Sequence, residues 1–293
     1  MDSFNIALNC GSFMLPWNAL MLALGILVAV VVSEIIIKKS SLYKDLAFDA
    51  CIVGIPCGIV GARLFSALSG KIAFSALFDL SKAGMNLPGA LLFAGIGILI
   101  YIAVKKLDRG LALDALMPGA LFGLAVGRWS DFFLCDGLGP VVGAGVPKFF
   151  PLVTFTHAYF SDHQTVAYAV FFLDFLICTA LGVVALCLRR KKLIPGQAAR
   201  TAMILYVLCE FVLEWLRDGQ ARQIVFGEMR FNQLVLIGML IVLVILALVA
   251  KKRPAAEQAA ETVEPDAAEP QETTEEPDEA PKQPEKETEE PEA

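Results

Sequence analysis

Apolar runs of about twenty residues recur along the whole chain, and they constrain its fold more than any other feature. A helix that crosses a bilayer needs roughly 17–25 mostly apolar residues. Seven stretches meet that length: residues 16–37, 46–68, 86–104, 111–127, 166–188, 200–216 and 232–250. In hydrocarbon a backbone can satisfy its N–H and C=O groups only internally, so segments of this length become helices. The fourth stretch carries Asp114 and Pro118, and the sixth carries Glu210 and Glu214, so these two are the least apolar. With 57% hydrophobic residues and a mean hydropathy of +0.65, the chain holds more apolar surface than a water-soluble domain can bury. The expected fold class is all-α: a polytopic integral membrane protein of about seven transmembrane helices.

The loops carry a charge bias. Those after the first, third, fifth and seventh stretches hold 14 Lys and Arg residues, and the alternate loops hold 7. Positive charge favours the cytoplasmic side, which predicts an N-terminus outside and a C-terminus in the cytoplasm. The last outer loop nevertheless holds Arg217, Arg222 and Arg230, which hints at a use for them. Residues 254–293 contain 15 acids against 2 lysines, a net of −13 within a total of −6, so the rest of the chain is basic by about +7. The predicted organisation is a transmembrane domain over 1–253 and a disordered acidic cytoplasmic tail over 254–293. Residues 129–165, rich in Gly, Pro and aromatics, predict a small extracytoplasmic cap that is not one long helix. The seven cysteines form no CxxC pair and there are two histidines, so neither a disulfide framework nor a metal site is expected. No cleavable signal peptide is visible, and nothing suggests a nucleic-acid partner.

Ionisable residues inside apolar spans are costly and are commonly paired or functional. Arg63, Arg128 and Arg217 each fall at the outer end of a different span. Three guanidiniums at one level would offer paired N–H donors to phosphate oxygens, which at that depth means a phospholipid headgroup. Glu210, Glu214 and Arg217 share one helix face by their spacing, and Asp174 lies inside the fifth span. Asp114 and Glu214 are expected to neutralise or orient the arginines. Small residues recur in GIPCGIVGARL, FAGIG and PGALFGLAVG, a pattern that permits close helix approach.

These residues resemble the prolipoprotein diacylglyceryl transferase family. GRWSDFFLCDGLG (127–139) is similar to that family's GRxGNFxNGExxG signature, and DALMPGALFGLAVGR leads into it with Asp114 at the start. GIVGARLF resembles a GGRxGY segment, and GMNLPGA (84–90) stands where the family has its HGG segment. HQTVAY (163–168) resembles HPSQxY, and FVLEWLRDG resembles VEFFRxP. The order and spacing of these motifs cover residues 14–250.

The resemblance implies transfer of the diacylglyceryl group of phosphatidylglycerol to the lipobox cysteine of a prolipoprotein signal peptide, without a cofactor. It points to Arg128, Arg63, Arg217 and Gly139 as phosphate and headgroup ligands, with Asp114, Glu214 and Tyr168 in support. His163 and Asp131 stand as candidate proton carriers, beside Glu210. Four positions depart from the family pattern: Asn18 for a tyrosine, Pro88 for a histidine, Asp131 for an asparagine and Glu210 for an arginine. A catalytically lapsed paralogue that binds phospholipid or a membrane protein stands as the alternative. A small transporter fits less well, because no internal repeat is visible.

Overall fold

The computed structural model describes residues 6–10, 13–40, 42–79, 84–134, 137–142, 149–150, 152–156, 165–191, 194–217, 224–226 and 229–261. Two units are compact by themselves: Met1–Ala250 and Lys251–Ala293.

The long helices are α1 (Trp17–Ile37), α2 (Leu46–Leu68), α3 (Leu87–Val104), α4 (Arg109–Gly127), α6 (Val170–Arg189), α7 (Gln197–Leu216) and α8 (Phe231–Glu261). A short helix, α5 (Trp129–Leu134), follows α4. Among the described residues six segments are long and apolar enough to cross a membrane: α1, α2, α3, α4 with α5, α6, and α8 as far as Leu248. The protein is therefore an all-α polytopic membrane protein. Helix α7 has 20 residues, about 30 Å of helix at about 1.5 Å per residue, but it carries Arg200, Glu210 and Glu214. Those two acids are buried, so α7 hides its charge inside the protein. The exposed surface is correspondingly apolar: Leu27, Ile52, Val60, Val212 and Leu248 all face outward.

Local sequence explains the helix ends. Asn86 caps α3 by accepting from Gly89 N at 2.9 Å, and Pro88 sits in the first turn, where a missing N–H costs nothing. Asp108 caps α4 through Leu111 N at 2.7 Å. Asp114, one turn further on, accepts from Gly196 N at 2.8 Å and Ala199 N at 2.7 Å and so caps α7 from a neighbouring helix. Helix α8 continues over residues 254–261, part of the acidic segment expected to be disordered. Its PAAEQAAE sequence supplies strong helix formers after the proline. Residues 262–293 lie outside the described residues.

Among the described residues three antiparallel β-ribbons supplement the helices: β1 (Ile6–Cys10) with β2 (Phe13–Pro16), β3 (Val153–Thr156) with β4 (Thr165–Tyr168), and β5 (Ile224–Phe226) with β6 (Met229–Arg230). The segment expected to form the cap, residues 129–165, thus contains α5 and β3, with β4 beginning at Thr165. It is anchored by Trp129, whose ring lies 5.8–6.2 Å from those of Phe171, Phe172 and Phe175 on α6.

Glycine seams set the helix spacing. A Cβ on Gly123 of α4 would lie 2.5 Å from the Gly25 carbonyl oxygen and 2.6 Å from Ala29 Cβ, both on α1. One on Gly97 of α3 would lie 2.7 Å from Cys57 Sγ on α2. The recurring small residues of the sequence therefore bring helix backbones together. One apolar core is built from α4, α6, α7 and α8 around Leu121, Cys178, Tyr206 and Met239. A second joins α1 to α4 around Ile37, Leu46 and Ile102.

Gly123→Leu is expected to destabilise the protein by about 1–3 kcal/mol through overpacking. Gly95→Leu, where nothing lies within 4 Å of an added Cβ, should change stability by less than about 0.5 kcal/mol. Detergent-solubilised unfolding curves compare the two, and equal effects would refute the seam.

Candidate functional site: a buried arginine–carboxylate network

Arg128 sits at the junction of α4 and α5, where its N–H closes the last turn of α4 onto Leu124 and Ala125. Its side chain is buried. A guanidinium out of water needs counter-charges, and the neighbouring helices supply them. Asp174, fully buried, lies one turn into α6. On α7, Tyr206, Glu210, Glu214 and Arg217 follow at spacings of four, four and three, so they stack along one face.

The geometry is a shared network. Arg128 pairs with Glu210, lies 3.3 Å from Asp174 through Nε, and lies 3.7 Å from Asp131. Arg217 pairs with Asp174, with Glu210 at 3.2 Å and with Glu214 at 3.2 Å. Glu210 and Asp174 therefore each bridge the same two arginines. Tyr206 tightens the arrangement: its hydroxyl donates to Glu210 at 3.1 Å and accepts from Arg128 at 3.4 Å.

Polar contacts continue from Glu214 toward α3. Arg230 lies 3.8 Å from Glu214 and also donates to the Arg217 carbonyl. Asn232 Nδ2 donates to Glu214 at 3.2 Å, and Asn86 Nδ2 donates to Asn232 at 2.6 Å. Asn86 N in turn donates to the Ala62 carbonyl at 3.2 Å, one residue from the buried Arg63 on α2.

The structure thus brings Arg128, Arg217, Glu210, Glu214 and Asp131 together. Arg63 lies on α2, next in sequence to Ala62, whose carbonyl the Asn86–Asn232 relay reaches. Asp114 does not join them. It sits near the opposite end of α4 as the cap of α7, so the expectation that it neutralises these arginines gives way to a structural role. Gly139 is buried against its own chain: its N–H donates to the Tyr168 carbonyl at 2.8 Å, and an added Cβ would lie 2.9 Å from Tyr168 Cβ. The space beside Gly139 is filled by Tyr168, Val170 and Leu216. His163 and Arg222 lie outside the described residues.

Sequence reasoning noted Asp174 as an acid inside a span but gave it no role, and it assigned none to Tyr206, Asn86 or Asn232. The lone acid in an apolar run was the available signal for Asp174. The two amides look like ordinary helix-end residues until the fold faces them.

Among the described residues the network holds three guanidiniums, of Arg128, Arg217 and Arg230, and four carboxylates. Donors remain nonetheless. Among the described residues the buried Nε–H groups of Arg128 and Arg217 have no hydrogen-bond partner, the Arg128–Asp174 contact being ionic only. A Cβ on Gly137 would lie 3.8 Å from Arg217 Nε. No group of three or more His, Cys, Asp or Glu side chains is placed to hold a metal ion among the described residues. The arrangement suits binding of an anion and stabilisation of charge that develops on it.

Asp174→Ala is expected to cost about 3–5 kcal/mol, because it removes a fully buried carboxylate and breaks its ion pairs with both Arg128 and Arg217. Asp131→Asn, at the least buried of the four carboxylates, should cost less than about 1 kcal/mol. Thermal unfolding of the two variants checks the order, and a larger loss from Asp131→Asn would contradict it.

Residues 5–249 match the family described as prolipoprotein diacylglyceryl transferase. A protein from Clostridium kluyveri named phosphatidylglycerol–prolipoprotein diacylglyceryl transferase is 27% identical over 238 residues, covering 78% of this chain and 90% of that protein. One of the same name from Streptococcus uberis is 28% identical over 257 residues, covering 85% and 95%. A third, from Clostridium perfringens and named transferase 1, is 27% identical over 259 residues, covering 85% and 97%. The family match spans most of the chain, so the conclusion is direct: the chain belongs to the prolipoprotein diacylglyceryl transferase family.

Proposed function

We propose that this protein transfers the diacylglyceryl group of phosphatidylglycerol to the cysteine thiol of a prolipoprotein. The observation that carries the reading is the family match over residues 5–249, in which Arg128 falls in the signature-like segment and sits at the centre of the buried network.

The reaction is a displacement at the glyceryl carbon that bears the phosphate oxygen. The cysteine sulfur forms a C–S bond to that carbon, and the C–O bond breaks with its electron pair on the departing glycerol phosphate. The thiol loses its proton as thiolate character develops, since thiolate is the nucleophile. The leaving phosphate, which has gained a negative oxygen, takes up one proton, so charge and atoms balance. Arg128 and Arg217 stabilise that oxygen, and their Nε–H groups are the donors that the carboxylates leave over. Asp131, at the rim beside Arg128, is positioned to pass the thiol proton onward. His163 is the other candidate for that step.

Glu210 and Asp174 set the cost of binding. Each occupies guanidinium donors that a phosphate would otherwise use. Removing one such charge without changing shape should strengthen binding of the lipid anion. The substrate head then competes with a resident carboxylate, which is the chain-specific consequence of a glutamate at position 210.

The Lys and Arg bias supports an N-terminus outside and the tail in the cytoplasm, with the network at the outer end of the helices. The acceptor's lipobox would then approach from the outer side.

In phosphatidylglycerol vesicles with a lipobox peptide, wild-type protein is expected to yield a thioether-linked diacylglyceryl product, and Arg128→Ala to abolish it. Glu210→Gln should lower the KM for phosphatidylglycerol by at least about fivefold, the water-screened value of one unit charge at about 4 Å. Absence of product from folded wild-type protein would favour the lipid-binding paralogue without catalysis. Truncation after Arg253 should leave transfer intact, with the tail of the full chain cleaved by protease only in inside-out vesicles. Loss of transfer on truncation, or cleavage in right-side-out vesicles, would overturn this orientation.

A further inference from the structure

At the end of α4 opposite Arg128 there is a cavity of about 320 Å³ between the end of α1, the start of α4, the end of α6 and the start of α7. Arg189, Arg190 and Lys191 line one side of it. Its floor is Asp114, whose two oxygens already accept from Gly196 N and Ala199 N. Leu42, Leu111 and Leu188 complete an apolar rim.

The two ends of the protein treat their cations differently. In the buried network Arg128, Arg217 and Arg230 are each paired with carboxylates. Around this cavity none of Arg189, Arg190 and Lys191 makes an ion pair among the described residues. The partner found for Arg189 is neutral: its Nη2 donates to Ser40 Oγ at 3.4 Å. Three cations against one hydrogen-bonded carboxylate leave the cavity formally positive by about two charges. A charge excess around a concave, partly apolar site calls for an anion from outside the chain.

We propose that this cavity binds the phosphate headgroup of an anionic phospholipid in the leaflet opposite the arginine network. A basic pocket between transmembrane helices fits such a headgroup. The fork of Arg190 and the ammonium of Lys191 meet the phosphate oxygens. Ser40 Oγ, which donates to the Ile36 and Ile37 carbonyls, accepts from Arg189 and holds that guanidinium at the inner side. The apolar rim decides between a lipid and free phosphate. Leu111 is 43% exposed at the rim, and Val183 and Val184, on the turn of α6 before Arg189, also face outward, so they offer a surface for acyl chains. The bound lipid clamps α1, α4, α6 and α7 together at the end where Asp114 caps α7. The site is separate from the proposed transfer chemistry and does not depend on it.

The test uses the full-length protein in phosphatidylcholine nanodiscs, with dioleoyl phosphatidic acid as probe, read by lipid retention in native mass spectrometry and by thermal shift. The Arg189→Ala/Arg190→Ala/Lys191→Ala variant should bind the probe on the order of a hundredfold more weakly at low salt. Arg128→Ala should retain the site. Because the triple variant can lose stability on its own, Arg190→Glu alone provides a second reading and should weaken binding at least about tenfold. Inorganic phosphate should give a smaller shift than the lipid. Unchanged retention in both cavity variants would overturn the proposal. So would loss of binding in Arg128→Ala equal to that in the triple variant, or a shift with inorganic phosphate as large as with the lipid.

Discussion

The structure depends on one electrostatic constraint. Arg128 is a buried charged side chain and Arg217 a largely buried one, and isolated charges in such a place are strongly unfavourable. Asp174 and Glu210 remove the problem by each bridging both guanidiniums. The bridge fixes the helices that carry the charges. α4 ends at Arg128, α6 begins near Asp174, and α7 presents Tyr206, Glu210, Glu214 and Arg217 on one face, so none of the three can rotate without stranding a charge. Glu214 extends the same constraint to Arg230 and Asn232, and hence to α8 and α3. In a solvent that gives no hydrophobic preference between one helix partner and another, this polar line selects one arrangement of the helices.

The glycine seams do complementary work. Van der Waals packing falls off steeply with separation, so helices in lipid gain from backbones that touch. Gly25 against Gly123, and Gly97 against Cys57, permit that contact along α1–α4 and α2–α3. The polar network fixes rotation and register at one end, and the seams fix distance along the length. The cap uses a third device, the packing of Trp129 on the phenylalanines of α6, which holds α5 close to Arg128.

Much of this was legible in the chain, for physical reasons that differ by residue. The spans were legible because a bilayer imposes a length and a hydropathy on every helix, and α2 matches the expected 46–68. Arg128, Arg217 and Glu214 were legible because charge in an apolar run demands an explanation. Asp114 shows where that reasoning stops. The same charge argument sent it to the arginines, but a carboxylate can equally be satisfied by the free N–H groups at the start of a helix, and α7 begins beside it. Gly139 is similar: a missing side chain reveals that something comes close, not what, and the neighbour is Tyr168. Asn86 and Asn232 were invisible because 146 residues separate them and nothing local in an amide encodes its partner.

Under the proposed function, Glu210 gives the network a mechanistic part as well as a structural one. A phosphodiester entering a site with three guanidiniums and four carboxylates adds a fifth negative group, so full affinity requires a carboxylate to yield its donors or take a proton. The four carboxylates already more than balance the three guanidiniums, and so take the place that a lipid phosphate would fill. The same feature limits how tightly the lipid ground state is held, and loose ground-state binding is compatible with fast chemistry. Only interactions stronger in the transition state raise the rate, and the departing phosphate carries more negative charge than the bound diester. Guanidiniums already shared with carboxylates can shift toward that growing charge without large movement. On this argument the glutamate at position 210 trades affinity for discrimination between diester and leaving phosphate, and the sign of its effect on KM relative to kcat is the property that separates a working enzyme from a lipid-binding relic.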